Sequence, residues 1–204
     1  MRKLVVLIVF MISWAVTASA LEVGGGLVGF YAPMDYTNAL IDLFEIDSDL
    51  VLPEIHTGWG LRGDVSLFSF LGNGRIGLGG KGLAARAGTR DISIQASLLG
   101  LYGWADYRIG NWRFAVDVGG YRGGFSFPAA RYVELVGWGG GIAGSVSYIA
   151  ISAWNFSLGS TLSMQWLPIN EMHDGSGQRY RERGAPFLDF SGVSVSIDLG
   201  WSTP

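Results

Sequence analysis

Apolar residues alternate with small or polar ones at a period of two through most of the chain beyond residue 20, a pattern that only a β-strand sorts onto two opposite faces. Trp154, Phe156, Leu158, Leu162, Met164 and Trp166 share one parity, while Asn155, Ser157, Gly159, Thr161, Ser163 and Gln165 fill the other. Val193, Val195, Ile197, Leu199 and Trp201 alternate with Ser194, Ser196, Asp198 and Gly200. Trp112, Phe114, Val116 and Val118 alternate with Arg113, Ala115, Asp117 and Gly119. A fourth stripe is Ile92, Ile94, Ala96, Leu98, Tyr102 and Trp104, and a fifth is Trp59, Leu61, Val65 and Leu67. Residues 21–31, 76–84 and 138–148 repeat the pattern with glycine at several apolar positions. Eight strands are expected, each long enough for the roughly 9–11 residues of a tilted membrane strand.

The first twenty residues differ. Arg2 and Lys3 precede an uncharged apolar run over 4–16, and Thr17-Ala18-Ser19-Ala20 supplies the small-residue pattern of a signal peptidase site. Residues 1–20 are therefore expected to be a secretory signal cleaved after Ala20, leaving 21–204 as one domain. An uncleaved anchor is the alternative, but the run is shorter than the ~20 residues of a spanning helix. Cleavage leaves twelve basic against seventeen acidic residues, a net charge of −5 in place of −3. That balance disfavours a nucleic-acid partner. With no cysteine, lipid anchoring at a cysteine, a disulfide scaffold and a zinc–thiolate site are all excluded.

Connections alternate in length. Short turns are expected at 71–74, where Asn73-Gly74 is a favoured hairpin dipeptide, and at 109–111 and 149–152; longer loops fall at 33–54, 86–90, 127–135 and 167–186. This is the layout of an up-and-down barrel in an outer membrane.

The polar face identifies the solvent. A soluble barrel turns charged residues outward, yet only 15% of this chain is charged and the polar parity is mostly Gly, Ser, Thr and Ala. Those residues suit a tight bore. Glu22, Arg62, Asp64, Lys81, Arg113, Asp117 and Asp198 lie well inside strands and all take the polar parity. They are expected to form a lumen network of mutually satisfying charges, with a proton or ion path as the functional alternative. Residues 135–170 carry no formal charge. Aromatics on the apolar parity fall at both strand ends. Trp104, Trp112, Tyr148, Trp154 and Trp201 flank the short turns, and Tyr31, Trp59, Trp138 and Trp166 flank the long loops, as interfacial girdles do.

On these features the chain resembles the small eight-stranded outer-membrane barrels of Gram-negative envelopes, the OmpA/OmpX-like group. The resemblance covers essentially all of 21–204 and rests on pattern, including a last segment, 193–201, that ends in an aromatic. It implies an integral outer-membrane protein recognised by the barrel insertion machinery through that last strand. It also implies a structural or surface-interaction role with a possible envelope or surface protein partner, although a few lipid-modifying enzymes share the architecture. The expected fold is all-β: an eight-stranded antiparallel up-and-down transmembrane barrel, monomeric, without cofactor or metal.

Three further features bear on function. Arg86, Arg90, Arg122, Arg131, Arg179, Arg181 and Arg183 fall at or near the loop end, where lipopolysaccharide phosphates would lie and where arginine can pair with them bidentately. In residues 33–49, Pro33 can start a helix and Tyr36, Leu40, Leu43 and Phe44 recur at helical spacing, so a short helix could cap the mouth. The acidic run Glu45, Asp47, Asp49 lacks the spacing of a calcium loop. His173, Asp174 and Ser176 supply the residue types of a lipid hydrolase, though their Gly-rich setting reads more simply as a solvated loop tip. A soluble periplasmic ligand-binding barrel is the remaining alternative. The G-x-G-x-x-G matches at Gly77 and Gly139 precede no helix and so lack the phosphate-binding geometry.

Overall fold

A computed structural model describes residues 22–35, 37–38, 54–88, 93–127, 133–181 and 186–202. The signal segment and its cleavage site lie outside the described residues, as do Arg90, Arg131, Arg183 and most of the first-loop helix. Of that helix, Asp35, Thr37 and Asn38 have helical backbone, with the Asn38 N–H donating to the Met34 carbonyl at 2.9 Å.

The strands are β1 (Glu22–Tyr31), β2 (Thr57–Phe70), β3 (Gly74–Gly88), β4 (Ser93–Ile109), β5 (Trp112–Phe127), β6 (Val133–Ala153), β7 (Phe156–Trp166), the short β8 (Pro168–Ile169), β9 (Glu171–His173), β10 (Arg179–Arg181) and β11 (Leu188–Asp189), and β12 (Gly192–Ser202). Strands β1 to β7 pair antiparallel with their neighbours in sequence, and β12 closes the ring between β7 and β1. The eight-stranded up-and-down barrel is thus the fold of the chain. Closure leaves no open edge in the ring. Strand β6 overruns β7 at the loop end, where β9 takes its free edge and β10 pairs with β9.

Turn chemistry differs from expectation in two places. The β2–β3 connection is Leu71–Gly72–Asn73, with positive φ at Leu71 (48°) and Gly72 (75°), so Gly74 begins a strand rather than completing an Asn-Gly turn. The β6–β7 turn is Trp154–Asn155 rather than 149–152, because β6 continues through a bulge between Ile149 and Ile151. At the β4–β5 turn, Gly110 takes φ 60°, where glycine carries no steric penalty.

Seven barrel strands put their expected apolar parity outward. Leu61, Val116, Val118, Ile197 and Leu199 are all more than half exposed on the outer wall. Strand β4 is inverted: Ile94, Ala96, Leu98, Tyr102 and Trp104 point into the barrel and are buried, while Leu99, Leu101, Tyr107 and Ile109 point out. Both faces of β4 are apolar, so alternation could not orient it. The expected Gly/Ser bore is also corrected. It holds along β6, β7 and β12, but the loop-end half of the interior is a hydrophobic core of Val28, Phe30, Leu83, Leu98, Tyr121, Phe125 and Leu135.

The last long loop completes that core. Leu167, Ile169, Met172, Leu188 and Phe190 are each under 2% exposed, and burying each side chain contributes about 1.5–3 kcal/mol. Glycines make room for them. A Cβ on Gly123 would stand 2.1 Å from Ile169 Cδ1, and one on Gly137 2.7 Å from Met172 Sδ. The mouth is therefore filled by the chain itself.

Candidate functional site

The polar half of the interior lies toward the short turns. Glu22 from β1, Arg75 from β3, Asp106 from β4 and Arg113 from β5 meet there as two acids and two bases. Arg75 bonds to Glu22 and, through Nε at 3.1 Å, to Asp106 Oδ1. Arg113 donates from Nη2 to Glu22 Oε1 at 2.9 Å, and its Nε lies 3.2 Å from Asp106 Oδ2. The Arg75 guanidinium also covers the Trp104 ring at 5.6 Å. Trp104 therefore belongs to this lumen cluster and not to an outer girdle; its indole N–H donates to the Leu78 carbonyl at 3.2 Å.

Nearer mid-barrel, Arg62 donates to Asp198 at 3.0 Å and to Thr161 Oγ1 at 3.1 Å. Thr161 in turn donates to Asp198 and accepts from the Ser147 hydroxyl at 2.7 Å, and Ser196 also donates to Asp198. Lys81 donates to Gln165 Oε1 at 3.3 Å and sits over the Tyr102 ring, while Gln165 Nε2 donates to the Phe190 carbonyl. That last bond ties the polar cluster to the plug. Asp64 and Asp117 line the same small interior voids, and Asp117 Oδ1 has no hydrogen-bond partner among the described residues.

Thus four of the seven expected lumen charges (Glu22, Arg62, Arg113 and Asp198) join in ion pairs, Lys81 pairs with an amide, and two acids face the interior. Arg75 and Asp106 escaped sequence reasoning. Asp106 shares the parity of Tyr102 and Trp104, and a charge on that stripe was the available sign that it faces inward.

At the loop end, buried Asn38 braces the returning chain. Its side-chain N–H groups donate to the carbonyls of Pro33 and Ile55, and its Oδ1 accepts from the Ile55 N–H at 2.8 Å. Thr37 Oγ1 donates to the Phe187 carbonyl, joining the first loop to the last. His56 pairs with Glu54, bonds to the Pro33 carbonyl and stacks on Tyr31. The Glu54 hydrogen bond raises the imidazole pKa above its ordinary value.

The loop-tip triad residues are not assembled for hydrolysis. Ser176 Oγ donates to Asp174 Oδ1 at 2.6 Å, and the N–H groups of Ser176 and Gln178 donate to the same oxygen. These bonds, Ser176 first, hold the Asp174 pKa below the usual carboxylate range. His173 Nε2 faces Glu171 at 3.1 Å instead of Ser176. No cluster of metal-ligating side chains occurs among the described residues.

Tyr31, Trp59, Trp138 and Trp166 are exposed outward near the loops, and Trp112, Tyr148, Trp154 and Trp201 near the short turns, where Tyr107 joins them. Of the expected arginine collar, Arg179 and Arg181 are exposed on β10, and Arg86 and Arg122 point outward from β3 and β5. Arg179 faces Glu171 at 3.6 Å.

No family model and no curated protein matches the chain. Among solved structures it is similar to Neisserial surface protein A, at 8% identity and a TM-score of 0.42 over 90% of this chain and 96% of that one. It is also similar to the outer membrane protease OmpT of Escherichia coli, at 6% identity and a TM-score of 0.36 over 92% of this chain and 98% of that one.

Proposed function

We propose that this chain is an integral outer-membrane barrel with a structural and surface-interaction role, inserted through its last strand by the barrel machinery after signal cleavage. Its loops would face outward, where their arginines meet the phosphates of lipopolysaccharide. The outer wall carries this proposal. Leucine, isoleucine, valine and tryptophan stand exposed around the ring, with aromatics at both ends. Soluble monomers rarely expose apolar patches larger than a few hundred Å², and a bilayer is the solvent that removes the penalty.

The interior supports a closed structural role over transport. Ion pairs fill one half and packed hydrocarbon the other. A lipid-modifying activity is disfavoured by the engagement of Ser176 with Asp174 rather than with a base. A soluble ligand carrier is disfavoured because the apolar wall faces out.

Membrane fractionation tests the proposal. The mature chain should resist carbonate and urea washing, dissolve only in detergent, and migrate faster unboiled than boiled. Recovery as a monomer in plain buffer would overturn it. Replacing Arg179, Arg181 and Arg183 with Ser should lower co-purified lipopolysaccharide; unchanged retention would remove the lipopolysaccharide contact from the proposal.

A further inference from the structure

The outer wall is not uniformly covered by large side chains. Across β2 to β6 it carries a groove of about 880 Å³. Trp59 and Leu61 of β2 form one bank, and Leu99 and Leu101 of β4 the other. The floor is the outward face of β3, where Gly80, Gly82 and Ala84 stand opposite those bulky neighbours. At the loop-side end Arg122 of β5 points outward, paired across the sheet with Trp138.

The chain's own packing does not impose this shape. Inward glycines are crowded: a Cβ on Gly60 would lie 2.0 Å from the Gly82 carbonyl, and one on Gly79 2.4 Å from the Tyr102 ring. On Gly82 the nearest atom would be a Leu99 methyl at 3.6 Å, and on Gly120 nothing lies within 4 Å. None of these outward glycines has a positive φ. A larger side chain would fit, and the groove would vanish.

Polarity rises in one direction along three adjacent strands. Toward the loops β4 reads Leu101, Leu99, Ser97, Gln95; β5 reads Gly120, Arg122, Gly124, Ser126; β3 reads Gly80, Gly82, Ala84, Arg86. Directly above the groove a recess of about 380 Å³ is lined by the polar side chains Arg86, Gln95, Ser97 and Ser126, with one carboxylate, Glu134, at its β6 side across from Ser126. Arg122 makes no ion pair among the described residues, and an arginine on a bilayer-facing wall is costly unless an anion meets it. The order of apolar slot, cation, then hydrogen-bonding side chains is the order of parts in one anionic lipid.

We propose that this groove holds one anionic phospholipid of the surrounding leaflet, an acyl chain lying over Gly80 and Gly82 and the phosphate on Arg122. The site rests on the membrane reading above; of the loop-end arginines it uses Arg122 and Arg86 on the strand wall and neither Arg179 nor Arg181 of β10.

The test reconstitutes the full mature chain into vesicles of equal phosphatidylglycerol and phosphatidylcholine and reads retained lipid by native mass spectrometry after detergent release. Phosphatidylglycerol should be retained several-fold over phosphatidylcholine. Arg122→Gln should abolish that preference, and Gly82→Leu should reduce total retained lipid by filling the slot. Gly144→Leu, on open outer wall away from the groove, should leave both unchanged, with heat-modifiable migration reporting that every variant folds. Wild-type retention in Arg122→Gln or Gly82→Leu overturns the site and points to an arginine that only reaches the bulk head-group layer. Loss confined to the Arg179→Ser/Arg181→Ser variant also overturns it and assigns lipid to the loops. A chain that never enters the vesicles overturns the membrane reading itself, a failure visible before any lipid is counted.

Discussion

Glycine does two jobs on the two faces of this wall, and its position decides which. Inside, Gly123 and Gly137 admit Ile169 and Met172 at distances no Cβ allows, so Gly137→Val should destabilise the barrel by about 1–3 kcal/mol through overpacking. Gly144→Val, on open wall, should stay within about 0.5 kcal/mol; urea midpoints in detergent would compare the two. His56 offers a second residue-scale measurement. Its pKa is raised chiefly by the Glu54 hydrogen bond. The contact therefore contributes fully below the ordinary imidazole pKa and fades as pH rises through the raised folded value. An NMR titration in micelles should show a His56 pKa above 6.5 that falls back in Glu54→Gln; no change on that substitution would dissociate the shift from the pair.

At the scale of the strand, β4 shows where alternation stops being informative. Seven strands declare their outer face because one parity is apolar and the other small or polar. Strand β4 has Leu98, Tyr102 and Trp104 on one side and Leu99, Leu101 and Ile109 on the other. Its orientation is set by neighbours: Tyr102 and Trp104 fill the space left by Gly79 and Gly77 of β3, and Asp106 reaches Arg75. The chain has no native cysteine, so single-cysteine spin labels can check this. A label at Leu101→Cys should be relaxed by lipid-soluble oxygen, and one at Leu98→Cys should not. The charge quartet gives another test between elements. Arg75→Met leaves Asp106 buried with one base fewer and should cost about 3–5 kcal/mol. The double change Arg75→Met/Asp106→Leu removes one charge of each sign and should cost much less, by unfolding in detergent.

For the whole molecule, closure of the ring and filling of its interior act together. An eight-stranded barrel has a bore about wide enough for side chains, and here ion pairs occupy one end while the last loop occupies the other. Planar-bilayer recordings of the mature chain should show no steady single-channel conductance; reproducible open levels would contradict the packed interior. The sequence by itself determined the number of strands in the ring, the alternation of short and long connections, the outer face of seven strands and most lumen charges, because each follows from period-two patterning and local turn residues. Only the tertiary structure decided the inward face of β4, the recruitment of Arg75 and Asp106, the burial of Leu167, Ile169, Met172, Leu188 and Phe190 in the mouth and the groove beside Arg122. These depend on which residues the closed ring brings opposite one another, a relation between distant segments that local periodicity does not encode.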